Sequence, residues 1–519
     1  MGSRTSRAAF VTLPTLALVV CIPSLAHAGD GAPSGVQEPT AEHALSSGDA
    51  GPPAAASSAT PGAAPATPAT DTPEVDSPSA KPSYPPTPPE FASGRPAMTE
   101  ADWRKKREGV YFTGLPLINS DPDTGIGFGI RAFRFDNGRR SNDLFPYRAY
   151  ESRVYAQYFE TTGGLRYHAL ALDAPFFQDG AHRLKLDAVY DHNTAANWFG
   201  AGEAARGALV DPRNPSSAYT SMDDYVRAIR QVDDRGETYA FYNKFEVRRP
   251  TVNATWEELF LGSRLRAVAG FMFQHVTVTD PTGTTVRGLR GGTEVEARNA
   301  SSLFAEQCAR GVLVGCGGGF HNALKLAVSY DMRDFEPDPE SGYVLEASSQ
   351  FSGTATGSSD TYARGTVQAR GYWSPMRSVA DLVFAGRALY AMHAGDVPFF
   401  AMSTITLADN DLEGLGGRTT LRGFKQNRFV GRVAALANAE LRWTFVDFRA
   451  LSQRFGLMLV PFIDAGRTFD RIADTSLADY KFGYGGGFRI AWNQATIITA
   501  DYGRSREGAG LYINFGHPF

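Results

Sequence analysis

The sequence predicts an all-β protein, a transmembrane antiparallel β-barrel of about 16 strands preceded by a signal peptide and a disordered segment rich in proline and alanine. Three observations support this prediction. Many segments alternate between apolar and polar residues, which is the period of a strand with one oily and one wet face. These segments are roughly 9–12 residues long, the length that a tilted strand needs to cross a bilayer. Aromatic residues cluster near their ends, as in the girdles of membrane barrels.

Residues 1–28 have the features of a secretory signal peptide. Arg4 and Arg7 supply the positive start, residues 8–25 form an apolar run, and residues 26–28 (Ala-His-Ala) are a small-x-small cleavage site. A membrane anchor is the alternative, but the apolar run is short and is interrupted by prolines. We therefore expect the chain to be exported.

Residues 29–95 consist mostly of proline, alanine, serine, threonine and glycine. Such a segment cannot bury enough apolar surface to offset its chain entropy, so we expect a disordered periplasmic linker. An arm that binds a partner or spans the cell wall is the alternative. Residues 96–108 are compatible with a short helix capped by Thr99, which would either plug the barrel or lie at its periplasmic mouth.

Residues 109–519 carry the barrel pattern. In residues 183–191, for example, leucine, alanine and tyrosine fall on one face while arginine, lysine and aspartate fall on the other. The predicted strands are 126–135, 148–159, 164–174, 183–191, a weaker one at 224–232, 238–248, 263–276, 323–332, 342–352, 361–373, 380–392, 433–445, 455–466, 482–493, 495–504 and 510–519.

The alternative fold is a soluble β-sandwich, which would bury the oily faces of its strands against each other. Here the opposite faces are charged in strand after strand, which suits a watery lumen, and a closed barrel leaves no unpaired edge in lipid. The connections at 192–223, 277–319 and 393–430 are long, whereas the one at 161–164 is a tight turn. Long loops outside the cell and short periplasmic turns are the usual arrangement in such barrels.

Two cysteines, Cys308 and Cys316, follow the predicted signal peptide. They flank a short segment that contains glycine, which is consistent with a small disulfide-closed loop in an oxidising compartment. Two free thiols are the alternative. Because a second pair of ligands is missing from this pattern, no metal site is expected.

Four stretches in the second half of the chain form a distinctive series. They are Asp331, Arg333 and Gly342 in a strand–turn–strand segment, Arg422, Gly423 and Phe424 in a loop, Glu440 and Asp464 on the two following strands, and Phe515 and Phe519 in an aromatic-ended last strand. Together they resemble the barrel of the BamA/TamA-like outer-membrane assembly factors, also called the bacterial surface antigen family. The resemblance implies a lumen loop at Arg422, a barrel over residues 109–519 in contact with outer-membrane lipid and lipopolysaccharide, and a last strand that is read during barrel insertion.

One feature departs from that family. Its assembly and translocation members carry POTRA domains before the barrel, and these domains supply a docking surface for unfolded clients. The 67 residues from 29 to 95 have neither the length nor the hydrophobic pattern of a series of such domains. The sequence therefore predicts a barrel without POTRA domains.

The lumen loop combines several glycines with arginines, of which Arg422 stands directly before a glycine. Alternation places Glu440 on a polar strand face, while Asp464 is a lone carboxylate in an apolar strand. The planar fork of arginine can hold two carboxylates at once, and glycine lets the backbone lie close to the wall. The hypothesis is that Arg422 pairs with both acids and fixes the loop inside the barrel. The alternative is three unrelated lumen charges.

Glycines also mark the strands that we expect to close the barrel. The first predicted strand contains Gly125, Gly127 and Gly129, and the last contains Gly510 and Gly516. Because glycine weakens a strand, the seam between these two is a candidate for lateral opening. The alternative is that the glycines only relieve crowding in a tilted barrel.

The leading functional prediction is a barrel that inserts, translocates or exports a macromolecular client, protein or lipid, without chemical catalysis. A periplasmic protein or a secreted client is the expected partner. A passive pore for small solutes is the runner-up, although an inward loop would narrow it. A membrane enzyme such as a lipase is disfavoured because the histidines are scattered and the sequence lacks a nucleophile elbow. No cofactor is expected, and the formal net charge of −4 gives no argument for nucleic-acid binding.

Overall fold

The computed structural model describes residues 86–519 except for residues 96, 99, 337, 377–379, 451–452 and 493–495. The predicted signal peptide, most of the predicted linker and the proposed cap Thr99 lie outside the described residues. Among the described residues, no helix is both long and apolar enough to span a membrane.

Sixteen antiparallel strands form a closed barrel, so the predicted fold class is confirmed. Each strand pairs with its neighbours in the chain, and the first strand also pairs with the last. A two-residue segment, Gly319–Phe320, extends the sheet beside the seventh strand. The strands are β1 Val110–Asp121, β2 Gly125–Asp136, β3 Ser152–Thr161, β4 Leu165–Pro175, β5 His182–Asn197, β6 Lys244–Phe260, β7 Leu265–Thr279, β8 Ala323–Asp331, β9 Gly342–Ser352, β10 Tyr362–Trp373, β11 Asp381–Gly395, β12 Val433–Ala450, β13 Gln453–Phe469, β14 Lys481–Trp492, β15 Thr496–Ser505 and β16 Ala509–Phe515.

The two faces of the wall differ as the alternation predicts. On β8, Leu324, Leu326 and Val328 point outwards and are 40 %, 42 % and 50 % exposed. Lys325, between the leucines, points inwards and lies 3.2 Å from a carboxylate oxygen of Asp411. A belt of exposed apolar side chains outside and ion pairs inside is the arrangement that lipid outside and water inside would favour.

The strand assignment needs two corrections, which offset each other in the count. The sequence prediction missed β1, Val110–Asp121, because this strand is apolar on both faces and so lacks alternation. The weaker strand predicted at 224–232 does not form. Its residues 224–229 belong instead to helix α2, Met222–Ile229, which lies in the connection between β5 and β6. Its signal was available, because Met222, Tyr225 and Ile229 are buried at helical spacing and Ser221 caps the first turn.

The position of the seam also needs correction. The glycine-rich strand β2 does not close the barrel, because it pairs with β1 on one side and β3 on the other. The closing pair is β1 with β16. The last strand ends at Phe515 rather than at residue 519. We call the end of the barrel that carries Val110 and Phe515 the terminal end, and the opposite end the loop end.

Three long connections, 198–243, 280–322 and 396–432, fold over the loop end. Their apolar centre includes Trp198, Phe304 and Phe399. The ring centroid of Phe399 lies 5.2 Å from that of Trp198 and 4.9 Å from that of Phe304. The helices of these connections are α2, α3 Leu303–Ala309 and α4 Phe399–Met402. A disulfide joins Cys308 to Cys316 beside this centre. We call these three connections the loop cap.

The chain before β1 packs against the turns of the terminal end. It contains helix α1, Glu100–Lys105, and Ala92 is buried in a cluster with Leu144 and Phe176. Lys106 is buried as well, and its Nζ donates hydrogen bonds of 2.8 Å to the carbonyl oxygens of Phe145 and Arg148. We call residues 86–108 the terminal segment.

We predict that this packing tightens as pH rises, and that Lys106 is the cause. Burial, together with the nearby Arg148 guanidinium, lowers the pKa of Lys106 to about 7 from its ordinary 10.5. Between these two pH values the undocked segment binds more protons than the docked one, so docking strengthens as pH increases across this window. The measurement is the rate at which a protease that does not cleave at lysine releases residues 86–108, and this rate should fall between pH 7 and pH 10.

In Lys106→Met, the rate of protease release should no longer depend on pH in this way. Wild type is measured beside it at each pH. Lys105→Met is the matched control, because Lys105 is the preceding residue and is exposed. An equal pH dependence in wild type and Lys106→Met would contradict the prediction.

Candidate functional site: a loop anchored inside the barrel

The connection between β11 and β12, residues 396–432, enters the barrel and carries its own apolar centre. Leu415 and Leu421 are fully buried and Phe424 is nearly so. They pack against Leu389 of β11 and Leu436 of β12. A loop with this many buried apolar side chains leaves bulk water and holds to the inner wall through the hydrophobic effect. We call residues 412–431 the lumen loop.

Arg422 is the most heavily bonded residue of the lumen loop. Its Nε and Nη2 donate to the two carboxylate oxygens of Asp464, both at 2.8 Å. Its Nη1 donates to Glu440 at 2.8 Å and to Asp501 at 2.9 Å. The guanidinium carbon also lies 3.4 Å from the centroid of the Phe462 ring. The structure thus brings Arg422, Glu440 and Asp464 together.

The register of the wall explains why both acids reach the same arginine. Asn438 of β12 lies opposite Asp464 of β13, and Glu440 lies opposite Phe462. The two carboxylates are therefore two positions apart on adjacent strands and point to the same face. Asn438 adds a 2.7 Å hydrogen bond from its amide nitrogen to Asp464 and another to the carbonyl of Thr420.

Sequence reasoning missed two members of the cluster, Arg489 of β14 and Asp501 of β15. Arg489 donates to Glu440 at 2.7 Å and to Asp501 at 2.9 Å. Both occupy inward positions of alternating strands, and this was the signal available in the sequence. Arg442 of β12 completes the cluster by donating to Glu440 at 3.0 Å.

The positive and negative charges of the cluster are equal in number, and this matters because the side chains are buried. Arg422, Arg442 and Arg489 contribute three positive charges. Glu440, Asp464 and Asp501 contribute three negative charges, and every one of the six side chains is at most 4 % exposed. Removing one member would leave an uncompensated buried charge, which typically costs about 3–5 kcal/mol.

Glycines let the lumen loop lie against the wall. Gly423 has a φ of +89°, a left-handed conformation that other residues adopt only with strain. A Cβ on Gly483 of β14 would lie 1.9 Å from the carbonyl oxygen of Arg422. The loop backbone can therefore approach β14 closely only because that strand has no side chain at this position.

The lumen loop also touches both sides of the seam. On one side, the amide of Gly423 donates to the Tyr512 hydroxyl of β16 at 3.0 Å, and Arg428 donates to Glu507 at 2.7 Å. On the other side, Lys425 donates to the carbonyl of Pro122 at 2.8 Å, in the turn between β1 and β2. The loop thus joins the first hairpin of the barrel to the last at the loop end.

The connection reaches the opposite wall through two aspartates that precede the lumen loop. The carboxylate oxygens of Asp409 lie 2.7 Å from the Nζ of Lys185 on β5 and 3.3 Å from the Nη2 of Arg266 on β7. Asp411 pairs with Lys325 of β8 at 3.2 Å. Residues 396–432 therefore cross the lumen from wall to wall.

The other residues singled out in the sequence lie away from this cluster. Arg333 donates to Asp331 of β8 at 2.9 Å, and Gly342 begins β9 with a φ of +101°. These three residues shape the turn between two strands at the terminal end. Cys308 and Cys316 lie in the loop cap.

The chain after β16 turns into the lumen. Phe515 ends the strand, Gly516 has a φ of +79°, and Phe519 is buried against Tyr372 and Val383. The prediction that the last strand continues to Phe519 is therefore wrong. The physical reason is the change of backbone direction at Gly516, which residues with a side chain rarely adopt.

The described residues contain no group of three or more histidine, cysteine, aspartate or glutamate side chains that could hold a metal ion. The contacts of the site are instead ion pairs and hydrogen bonds between a loop and a wall. Such an arrangement can hold or release a loop.

We expect Arg422→Ala to release the lumen loop from the wall. Three buried carboxylates would then face two arginines, at a cost of about 3–5 kcal/mol. Protease cleavage within residues 412–431 should become faster, while heat-modifiable migration of the barrel on gels is retained. Arg287→Ala is the control, because Arg287 is an exposed arginine of the loop cap. Equal cleavage in Arg422→Ala and wild type would contradict the anchoring role.

A second prediction concerns the close approach at β14. Gly483→Ala places a methyl group against the Arg422 carbonyl, so the loop must shift, at a cost of about 1–3 kcal/mol for overpacking. Gly486→Ala is the matched control on the same strand, since a Cβ there would meet no atom within 4 Å. Faster cleavage of the lumen loop in Gly483→Ala alone is the expected result, and equal behaviour of the two variants would refute it.

Comparison with known proteins places this barrel in a family. Residues 245–519 match the Omp85 superfamily domain, and residues 89–151 match a domain of unknown function, DUF5982. No match was found among curated proteins.

Solved structures that match this chain include BamA from Haemophilus ducreyi lacking POTRA domains 1–3, at 11 % identity and a TM-score of 0.45, covering 79 % of this chain and 70 % of that chain. They also include CdiB from Escherichia coli, at 10 % identity and a TM-score of 0.46, covering 79 % of this chain and 63 % of that chain. The family match spans more than half of the chain. The resemblance to the BamA/TamA-like barrels is therefore confirmed, and the protein belongs to the Omp85 superfamily as a β-barrel of the bacterial outer membrane.

Proposed function

We propose that this protein inserts, translocates or exports a macromolecular client, protein or lipid, at the outer membrane without chemical catalysis. One observation carries the proposal. The route along the barrel axis is crossed by an anchored loop, whereas the wall is weakly closed along a single seam. A client would therefore pass through a gated lumen or along the seam rather than through an open channel.

The seam is weak because its two strands share little length. Ser120 of β1 and Ile513 of β16 are the one residue pair in their register, while twelve pairs join β1 to β2. β16 has seven residues and the chain then turns inwards, so the part of β1 nearest the terminal end has no partner on that side among the described residues. Strand length and the inward turn, rather than glycines on both strands, account for the weakness.

The lumen loop favours gating over a passive pore for small solutes. The ion pairs of Asp409 and Asp411 on one wall and of Arg422 on the other hold residues 396–432 across the bore. The loop cap lies over the loop end. The remaining cavity beside the loop has a volume of about 860 Å³, and acidic and basic side chains line it.

Planar-bilayer recordings distinguish the two functions, and the purified wild-type protein should show no large steady conductance. The reason is that the anchored loop and the loop cap obstruct the axis. Arg422→Ala should add open events by freeing the loop, with Arg287→Ala as the control. A large steady conductance in the wild type would support the passive pore instead.

A cross-link across the seam tests the lateral route. Ser120→Cys with Ile513→Cys places two thiols on directly opposed residues of β1 and β16. In a strain that lacks the wild-type protein, each single-cysteine variant should restore the protein and lipid composition of the outer membrane. The oxidised double variant should not. Full restoration by the cross-linked double variant would remove the lateral route from the proposal.

A further inference from the structure

The inner wall of the first three strands is aromatic, in contrast to the ion pairs that line the rest of the lumen. Tyr111 of β1 stacks on Phe135 of β2 with ring centroids 5.2 Å apart, and Phe133 lies 5.4 Å from Phe135. Tyr155 of β3 continues the row at 5.9 Å from Phe133. A lumen filled only with water does not favour such a surface, because exposed apolar area is costly in water.

This aromatic wall lines a cavity of about 1020 Å³ in the terminal half of the barrel. Leu115 and Leu117 of β1 and Phe515 of β16 contribute further apolar surface. Pockets that bind small molecules are concave, largely apolar and supplied with a few polar groups. We call this cavity the seam chamber.

The charged groups of the seam chamber are mainly cationic. Its lining contains eight basic residues, Arg95, Lys106, Arg131, Arg153, Arg183, Arg264, Arg266 and Arg333, and three acidic ones, Asp331, Asp334 and Glu336. Several of the arginines already have carboxylate partners, as Arg183 has in Asp173 at 2.8 Å. The chamber as a whole therefore favours an anionic occupant.

Arg131 of β2 is the cation that is best placed to bind such an occupant. Its guanidinium carbon lies 4.9 Å from the centroid of the Tyr155 ring, and its Nε donates to the amide oxygen of Gln157 at 2.7 Å. Within the described residues, no carboxylate lies at ion-pair distance from it. Its positive charge therefore lies among aromatic rings, and the amide of Gln157 is its one hydrogen-bond partner in the part of the chain that the structure describes.

The seam chamber communicates with the outside of the barrel at the seam. Gly114 and Ile118 belong to its lining, although the alternation of β1 places them on the outer face. Ser120 is the residue of β1 that pairs with β16, so among the described residues β1 has no paired strand on that side between Val110 and the seam pair. This unpaired edge is where an apolar chain from the bilayer would reach the chamber without crossing the polar bore.

We propose that the seam chamber binds one phospholipid with an anionic headgroup, with an acyl chain against the aromatic wall and the phosphate at Arg131. The inference goes beyond the proposed function, because it concerns a ligand site that exists whether the lipid is a client or a resident component. Its test measures binding alone.

The test uses the full-length protein in nanodiscs that contain phosphatidylglycerol with a photoreactive group on one acyl chain. After illumination, adducts are mapped by peptide mass spectrometry. Lipid in the seam chamber should label the inward residues Leu115 and Phe133. Lipid around the barrel should label outward residues such as Phe112 and Phe128, which are 76 % and 55 % exposed. Labelling confined to outward residues would overturn the proposal.

Matched variants on β2 test the role of the charge. Arg131→Gln should lower the inward adducts by about tenfold, the effect of losing roughly one charge-assisted hydrogen bond. It should leave the outward adducts unchanged. Arg134→Gln is the control, because Arg134 lies on the outer face of the same strand and pairs with Asp136.

Headgroup chemistry provides the last arm of the test. Phosphatidylcholine with the same photoreactive chain should give fewer inward adducts, because its headgroup has no net charge. Inorganic phosphate should not displace the phosphatidylglycerol adducts, since it has no apolar chain to bind the aromatic wall. Equal labelling by both lipids, or displacement by phosphate alone, would overturn the proposal, as would unchanged inward labelling in Arg131→Gln.

Discussion

The structure depends on keeping one guanidinium group dry inside a barrel. Arg422 leaves bulk water when the lumen loop packs against the wall, and burial of a charge is costly unless every donor finds a partner. Asp464 of β13, Glu440 of β12 and Asp501 of β15 meet this requirement. Because the partners come from three different strands, the cluster forms only when those strands have paired in the correct register.

The same loop links the two ends of the sheet. The one residue pair that closes the barrel, Ser120 with Ile513, contributes little stability by itself. The lumen loop adds polar contacts to Pro122 beside β1 and to Tyr512 and Glu507 beside β16, all near the loop end. The seam is thus held at the loop end and left sparse at the terminal end, where the aromatic wall and the inward turn at Gly516 lie.

Much of the fold could be predicted from the sequence because a barrel wall imposes a period of two. β8 and β12 separate oily from polar residues and were both identified. The predicted bounds of β8 are within one residue of those observed, whereas β12 begins as predicted but extends to Ala450 rather than to residue 445. β1 could not be found in this way. Its inner face lines the seam chamber, so the strand carries apolar residues on both of its faces. The helix α2 was misread because a short amphipathic helix and a short strand look alike when the helical spacing is not tested.

For the site, the sequence by itself determined which residue types were available: an arginine among glycines in a long connection, a glutamate on a polar strand face and an aspartate in an apolar strand. The tertiary structure decided the rest. Alternation fixes which face a side chain takes, but a slip of two residues preserves that face, so the sequence does not set which inward residues of neighbouring strands become opposed. Only the registers of β12 with β13, of β13 with β14 and of β14 with β15 place Arg489 and Asp501 beside Glu440, and only the turn at Gly516 brings Phe519 inside.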